Sequence, residues 1–462
     1  MKRMSIEPIK IPKKPTYLKF VQKIDFFELF EVVDQKFQTT FLLESLGEHG
    51  HTSRHSIIGF DPEYLISADH NNHLTVLNCR SGAERIYDVE NPYYALRELI
   101  PQDIISRKYA GGLVGFLGYD SVNFFEPSLH VQSSEYFEAF KFGLYKDGLI
   151  LDKMTSEVFY FYYDENRLDL IESLVATRKI DNTGFEASYL GDTKSREEHK
   201  KAVEKVKKDI CDGLIFQCEV GFKSLYKLKG NPLRVYERLR NYNPSPHMYF
   251  FKFQDQRIVG ASPELLFKLS QGEMETYPLA GTINRGKTDI EDKDLARKLL
   301  NDPKEIAEHN MLVDLHRNDI GRVARFGTVK VRKLMDIKRF SHVQHIASEI
   351  VGIIHEKEDM FSALASNFPA GTLSGAPKIE AIKIIDGLEE SGRGPYGGAI
   401  GTFSFNGDCV FAIPIRTLFQ KASHGYIQTC GGNVYDSIPE NEYEEILRKL
   451  AAMKNVLKEF EK

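Results

Sequence analysis

Two stretches far apart in the chain each place a pair of glutamates on one helix face, and the fold must either join these pairs or leave both in water. The first runs from Asn301-Asp-Pro-Lys-Glu-Ile-Ala-Glu-His to Gly321. Asp302 ahead of Pro303 is a helix start, with the side-chain oxygen capping and the proline preset at the first helical position; Gly321 is a stop. Glu305 and Glu308 then project from one face. The second stretch, the C-terminal helix predicted over Glu440–Phe460, carries Glu442 and Glu445 with Lys449 four residues on. Either pair alone reads as a solvated acidic face. Brought together, the four carboxylates form an oxygen-rich site of the kind hard divalent cations prefer.

The chain of 462 residues is long enough for one large core or two ordinary ones. A net charge of −5 gives no reason to expect nucleic acid or an anionic membrane as partner. Five cysteines (79, 211, 218, 409, 430) are too few and too irregular for a disulfide framework, which fits a reducing cytoplasm. There is no apolar run long enough to span a bilayer, and the basic segment Met1–Lys14 lacks the apolar centre of a secretion signal. It reads as an arm or edge strand.

From Leu18 to about Tyr163 short apolar runs alternate with Gly, Asn, Asp and Pro, the pattern of a sheet-rich unit with few helices. Gly111-Gly-Leu-Val-Gly-Phe-Leu-Gly118 has the glycines of a dinucleotide loop but no helix after it, so it reads as a close-packed strand and turn. A polar stretch between Arg178 and Ser195 marks a seam, and Ser195 with Glu198 opens a helix as a capping box. Beyond it, strands come in antiparallel bursts among helices, with one helix predicted over Ser341–Ile353. The class expected is α+β, with regions at 18–180 and 195–456.

Several loops add donors. Pro369-Ala-Gly-Thr-Leu-Ser-Gly-Ala-Pro-Lys378 offers Thr372, Ser374 and backbone N–H groups to an anion. Gly394-Pro-Tyr-Gly-Gly398 presents Tyr396 in a turn, and Cys430-Gly-Gly-Asn433 exposes more N–H groups. Arg416 closes the run Ala412-Ile-Pro-Ile-Arg416, where an arginine usually meets a carboxylate or phosphate. Glu264 follows a proline at a strand edge and could stay protonated as a general acid if buried. His345, read as sharing a helix face with His342, is a candidate acid–base group. Together these suit a small substrate with more than one carboxylate.

Residues 195–455 resemble the chorismate-binding domain shared by anthranilate, aminodeoxychorismate, isochorismate and salicylate synthases. The matching motifs are Ala261-Ser-Pro-Glu-Leu-Leu266, Ala307-Glu-His-Asn-Met-Leu-Val-Asp-Leu-His-Arg-Asn-Asp319, Ser341-His-Val-Gln-His345, Gly371-Thr-Leu-Ser-Gly-Ala-Pro-Lys378, Tyr396-Gly-Gly398 and Asp436-Ser437 followed by Glu442 and Glu445. Leu42-Leu-Glu-Ser45, Arg54-His-Ser-Ile-Ile-Gly59 and Gly111-Gly-Leu-Val-Gly-Phe116 match more weakly. The resemblance implies two packed, mostly antiparallel sheets with helices outside. It also implies Mg²⁺ among Glu305, Glu308, Glu442 and Glu445. Chorismate carboxylates would be held by Thr372, Tyr396, Arg416, Lys449 and the Gly431–Gly432 backbone. Glu264 would protonate the departing hydroxyl, and His345 would assist loss of pyruvate.

Two positions separate the branches of this family. Water-using members place a lysine base where this chain has Gln217, and aminodeoxychorismate synthases place a nucleophilic lysine where Pro278-Leu-Ala-Gly-Thr282 has Ala280. The resemblance therefore implies ammonia adding directly to chorismate, with anthranilate and pyruvate as products. Glutamine would serve through a separate amidotransferase subunit, because no Gly-x-Cys-x-Gly nucleophile is present. Leu42–Ser45 and Asn243-Pro-Ser-Pro-His-Met248 are similar to the walls of a tryptophan feedback site, which implies Glu44, Ser45, Pro246, His247 and Met248 as effector contacts. An aminodeoxychorismate-forming enzyme, or an inactive relative that binds tryptophan or the amidotransferase, are the other readings. The chain departs from the usual pattern at Glu219 (commonly valine), His247 (commonly tyrosine), Cys430 in place of the first glycine of Gly-Ala-Gly, and Asn433.

Overall fold

A computed structural model describes residues 6–46, 54–106, 108–178, 184–339 and 343–461. Among these, two twelve-stranded antiparallel sheets dominate. In the first, the path runs through 16–20, 157–162, 147–152, 55–60, 39–44, 247–253, 256–262, 417–421, 424–433, 217–229 and 186–192. In the second it runs through 279–284, 343–353, 273–276, 265–270, 409–412, 399–404, 112–117, 140–145, 64–68, 73–78 and 84–88. Both paths cross the polar stretch between 178 and 195 in sequence: Thr39–Glu44 pairs with His247–Phe253, and Gly112–Leu117 with Ala399–Ser404. Residues on either side of that stretch thus share both sheets.

Period-two alternation decides what each strand face buries. On His247–Phe253, Tyr249, Phe251 and Phe253 enter the core between the sheets, where Phe41 meets Tyr145 edge-on at 4.7 Å. Met248 and Phe250 point the other way, into a core that the sheet forms with the helices Phe26–Lys36, Leu233–Tyr242 and Pro439–Lys458. Each such aromatic contributes about 2–3 kcal/mol by leaving water. The first sheet is therefore apolar on both faces, and its strands read as continuous apolar runs.

The glycine-rich 111–118 stretch is the expected close-packed strand: a Cβ at Gly115 would lie 2.0 Å from the Lys141 carbonyl oxygen. The capping box at Ser195 is present, opening Arg196–Cys211. One expectation fails. The described part of Ser341–Ile353 is not a helix but the strand Val343–Ile353, hydrogen-bonded to neighbours on both sides. Residues 6–15 form no strand; they are tied to the body through Ile9 N–H to Leu99 O and Ile105 N–H to Lys13 O, and the edge strand begins at Thr16.

Candidate active site

The helices Pro303–Gly321 and Pro439–Lys458 form as expected, the first with Asp302 accepting from the N–H groups of Lys304 and Glu305. Their glutamates share one electrostatic field. Burial raises the pKa of Glu305, Glu308 and Glu442, and carboxylate neighbours raise it further: Glu445 acts on all three, and Glu305 acts on Glu308. Burial works against ionisation of Glu445 too, but the Lys449 ammonium at 2.8 Å prevails and holds it below its usual range. Among the described residues no three His, Cys, Asp or Glu side chains lie close enough together to hold a metal ion. The donor set itself, four oxygen ligands that repel one another, is of the type a hard divalent cation takes up.

Glu264 is buried at the end of the strand Gln256–Ser262, beyond Pro263, its backbone fixed by Ser262 and by Ile413 N–H. Burial pushes its carboxyl up to about 7, against the Thr372 hydroxyl that donates to Oε1 at 2.7 Å and the charges of Arg416 and Lys449. It is thus a carboxylic acid that keeps its proton near neutral pH. Arg416 stands opposite, on a left-handed backbone turn (φ 51°) just before the strand Thr417–Lys421. Its guanidinium makes no hydrogen bond or ion pair among the described residues; burial lowers its pKa, and the charge of Glu264 opposes this. A cation held this way is costly unless an anion joins it.

His345 sits on the strand Val343–Ile353 opposite Thr282, with Nδ1 donating to the Gly281 carbonyl at 2.9 Å and 3.1 Å from the Thr282 hydroxyl. Burial pulls its pKa down to about 4, with Arg416 and Lys449 adding to the effect. The ring is neutral at pH 7. Gly281 (φ +65°) links it to the carboxylates, because a Cβ there would lie 2.8 Å from Glu305 Oε2. His342 lies outside the described residues, so the expected pairing with His345 on a helix face has no helix to stand on.

Lys449 joins these groups. Its side chain is 44% exposed, donates to Cys430 O at 3.1 Å, and is charge-coupled to Glu264, His345, Glu219, Glu308 and Glu442. A lysine surrounded by protein atoms yet reached by water lies in a cleft. Tyr396, in its turn, is buried and donates to Cys430 Sγ at 3.2 Å. Gly431 and Gly432 lie on His424–Asn433 beside Gln217–Lys229. A Cβ on Gly432 would lie 2.5 Å from Glu219 Oε1 and 2.7 Å from Gln217 Nε2, so glycine makes room for both side chains.

Glu219 stands where the family pattern commonly has valine. It is buried, pushed up to about 7 chiefly by that burial, and accepts from Gln217 Nε2 at 3.1 Å and from Cys430 Sγ at 3.4 Å. Two departures, Glu219 and Cys430, are therefore one contact. The i, i+2 spacing of Gln217 and Glu219 on a strand was the available signal.

Of the expected effector residues, Glu44 and Met248 face each other in the pairing of 39–44 with 247–253, and Leu46 N–H bonds to Ser245 O beyond them. Glu44 is already engaged: Arg240 donates at 2.8 and 3.2 Å, and the Tyr236 hydroxyl at 2.9 Å. The Ser45 carbonyl accepts from Lys153 Nζ. His247 is held down to about 4 by burial.

A family profile described as chorismate binding enzyme matches residues 39–455, beyond the 195–455 read from motifs. The chain is 52% identical over 460 residues to anthranilate synthase component 1 of Leptospira biflexa, covering 98% of both proteins. It is 42% identical to the protein of that name from Methanothermobacter thermautotrophicus, covering 94% of this chain and 92% of the other. Its structure matches the crystal structure of anthranilate synthase component I from Streptococcus pneumoniae with a TM-score of 0.77 at 32% identity, over 88% of this chain and 93% of the other. The menaquinone-specific isochorismate synthase of Escherichia coli shares the fold alone, with a TM-score of 0.74 at 16% identity over 97% and 96%. With its α+β pair of antiparallel sheets and the family profile matched over most of its length, this chain belongs to the chorismate-binding enzyme family.

Proposed function

We propose that this protein is the chorismate-using component of an anthranilate synthase, converting chorismate and ammonia to anthranilate and pyruvate. One observation carries the reading: Glu264, a buried acid whose carboxyl is raised to about 7, stands beside Arg416, a largely buried cation with no ion-pair partner among the described residues. Arg416 would take a substrate carboxylate, aided by Lys449 and by the Gly431–Gly432 backbone. Glu264 would deliver its proton to the departing hydroxyl, its Oε1 kept in place by Thr372. His345, a neutral imidazole fixed through Nδ1, would take a proton in the later loss of pyruvate. Glu305, Glu308, Glu442 and Glu445 would hold Mg²⁺, which when bound neutralises a substrate carboxylate.

Gln217 supports ammonia over water as nucleophile, because an amide cannot take a proton from water. The buried Ala280 offers no nucleophile for the aminodeoxychorismate route. Glutamine-dependent turnover would come through a separate amidotransferase, and tryptophan would inhibit at Glu44, Ser45, Pro246, His247 and Met248. The setting is the cytoplasm, at the entry to tryptophan synthesis; no described helix is long and apolar enough to cross a membrane. Purified protein given chorismate, Mg²⁺ and ammonium should develop anthranilate fluorescence. Chorismate consumed without anthranilate would assign a sister reaction.

A further inference from the structure

Gln217 is 2% exposed and its amide is only half used: Nε2 donates to Glu219 Oε1 at 3.1 Å, while Oε1 is buried with no partner. A buried acceptor left unpaired costs about 1–3 kcal/mol, so its persistence calls for a reason. Glu219 supplies the cause. In its ionised form this carboxylate has no proton to give, so only the NH₂ side of the amide can then face it. Its second oxygen is held by Cys430 Sγ, which in turn accepts from Tyr396, and Gly432 leaves room beneath. The amide cannot turn over without setting its carbonyl oxygen against a carboxylate.

We propose that Glu219 is a positioning residue for the nitrogen nucleophile, locking the Gln217 amide so that its carbonyl oxygen accepts an N–H of ammonia. This rests on the anthranilate-forming reading. The chemistry favours that orientation: ammonia attacking through its lone pair gains positive charge on nitrogen, which an acceptor at its N–H stabilises. The reversed amide would donate to the lone pair and block attack. Cys430 serves Glu219 in the same way and is the lesser member of the pair.

The test is steady-state kinetics at pH about 8.5, where Glu219 is ionised, varying ammonium and chorismate separately. Glu219→Val should raise the KM for ammonia tenfold or more and leave that for chorismate within twofold. Glu219→Gln keeps shape but permits both amide orientations, and should raise it less; Cys430→Ala should raise it least. Circular dichroism spectra confirm that each variant folds. An unchanged ammonia KM in both Glu219 variants, or a rise confined to chorismate, overturns the proposal and assigns Glu219 to the carboxylate cradle or to packing. Wild-type protein making no anthranilate from ammonium overturns instead the reading on which it rests.

Discussion

The surroundings of Arg416 and of Glu44 each hold a buried charge, and they treat it in opposite ways. Arg416 has no ion-pair partner among the described residues, and beside it burial raises the Glu264 carboxyl to about 7. Glu44 is fully engaged by Arg240 and Tyr236. A charge left without a partner weakens the fold unless a ligand completes it, whereas a paired charge strengthens the fold and must be displaced before a ligand can use it. On the proposed reading, substrate completes the charge of Arg416. Glu44 is already paired, so an effector's ammonium would compete with a guanidinium.

The comparison is broken most directly at the acid. Glu264→Gln keeps the shape and the Thr372 contact but has no proton to deliver; kcat should fall about 1000-fold, read by anthranilate fluorescence. Next come paired substitutions on the two charges. Arg416→Met should lower kcat/KM for chorismate about 100-fold while leaving stability to urea equal or about 1 kcal/mol higher. Glu44→Ala should do the reverse, costing about 1–2 kcal/mol because half-buried Arg240 and the Tyr236 hydroxyl lose their acceptor, with kcat nearly intact. Equal stability losses in both would remove the distinction.

The pH dependence sharpens it further. Glu264 acts in its protonated form, which is populated below its pKa of about 7. At saturating free ammonia, kcat/KM for chorismate should fall about tenfold per pH unit above that value. The smallest effect is at His247: held near 4, it stays neutral across the working range. Tryptophan inhibition should therefore change by less than about twofold between pH 6 and 8.

The helices that bear the glutamates were legible because their signals are local: Asp302 and Pro303 at one start, Pro439 at the other, and the three-residue spacing of the carboxylates. The Thr372 turn was legible for the same reason, whereas Gly431 and Gly432, read as part of a donor loop, lie within the paired strand His424–Asn433. Val343–Ile353 was misread because it is buried between partners on both edges, Leu279–Asn284 and Lys330–Arg339, so its apolar residues do not alternate and imitate a helical period. The β-branched Val343, Ile346, Ile350, Val351 and Ile353 were the counter-signal. Contacts between distant strands were beyond reach: nothing local says that Glu219 meets Cys430, or that Arg240 reaches Glu44. The interleaving of both sheets across 178–195 is likewise a property of pairing, not of composition.

The most direct test of the account is chorismate turnover with ammonium, with and without Mg²⁺, in wild-type protein and in Arg416→Met. Anthranilate formed by the wild type, lost without Mg²⁺ and reduced about 100-fold in the variant, is the predicted result. Anthranilate formed equally well by Arg416→Met would contradict the claim that this unpaired cation is the seat of the substrate.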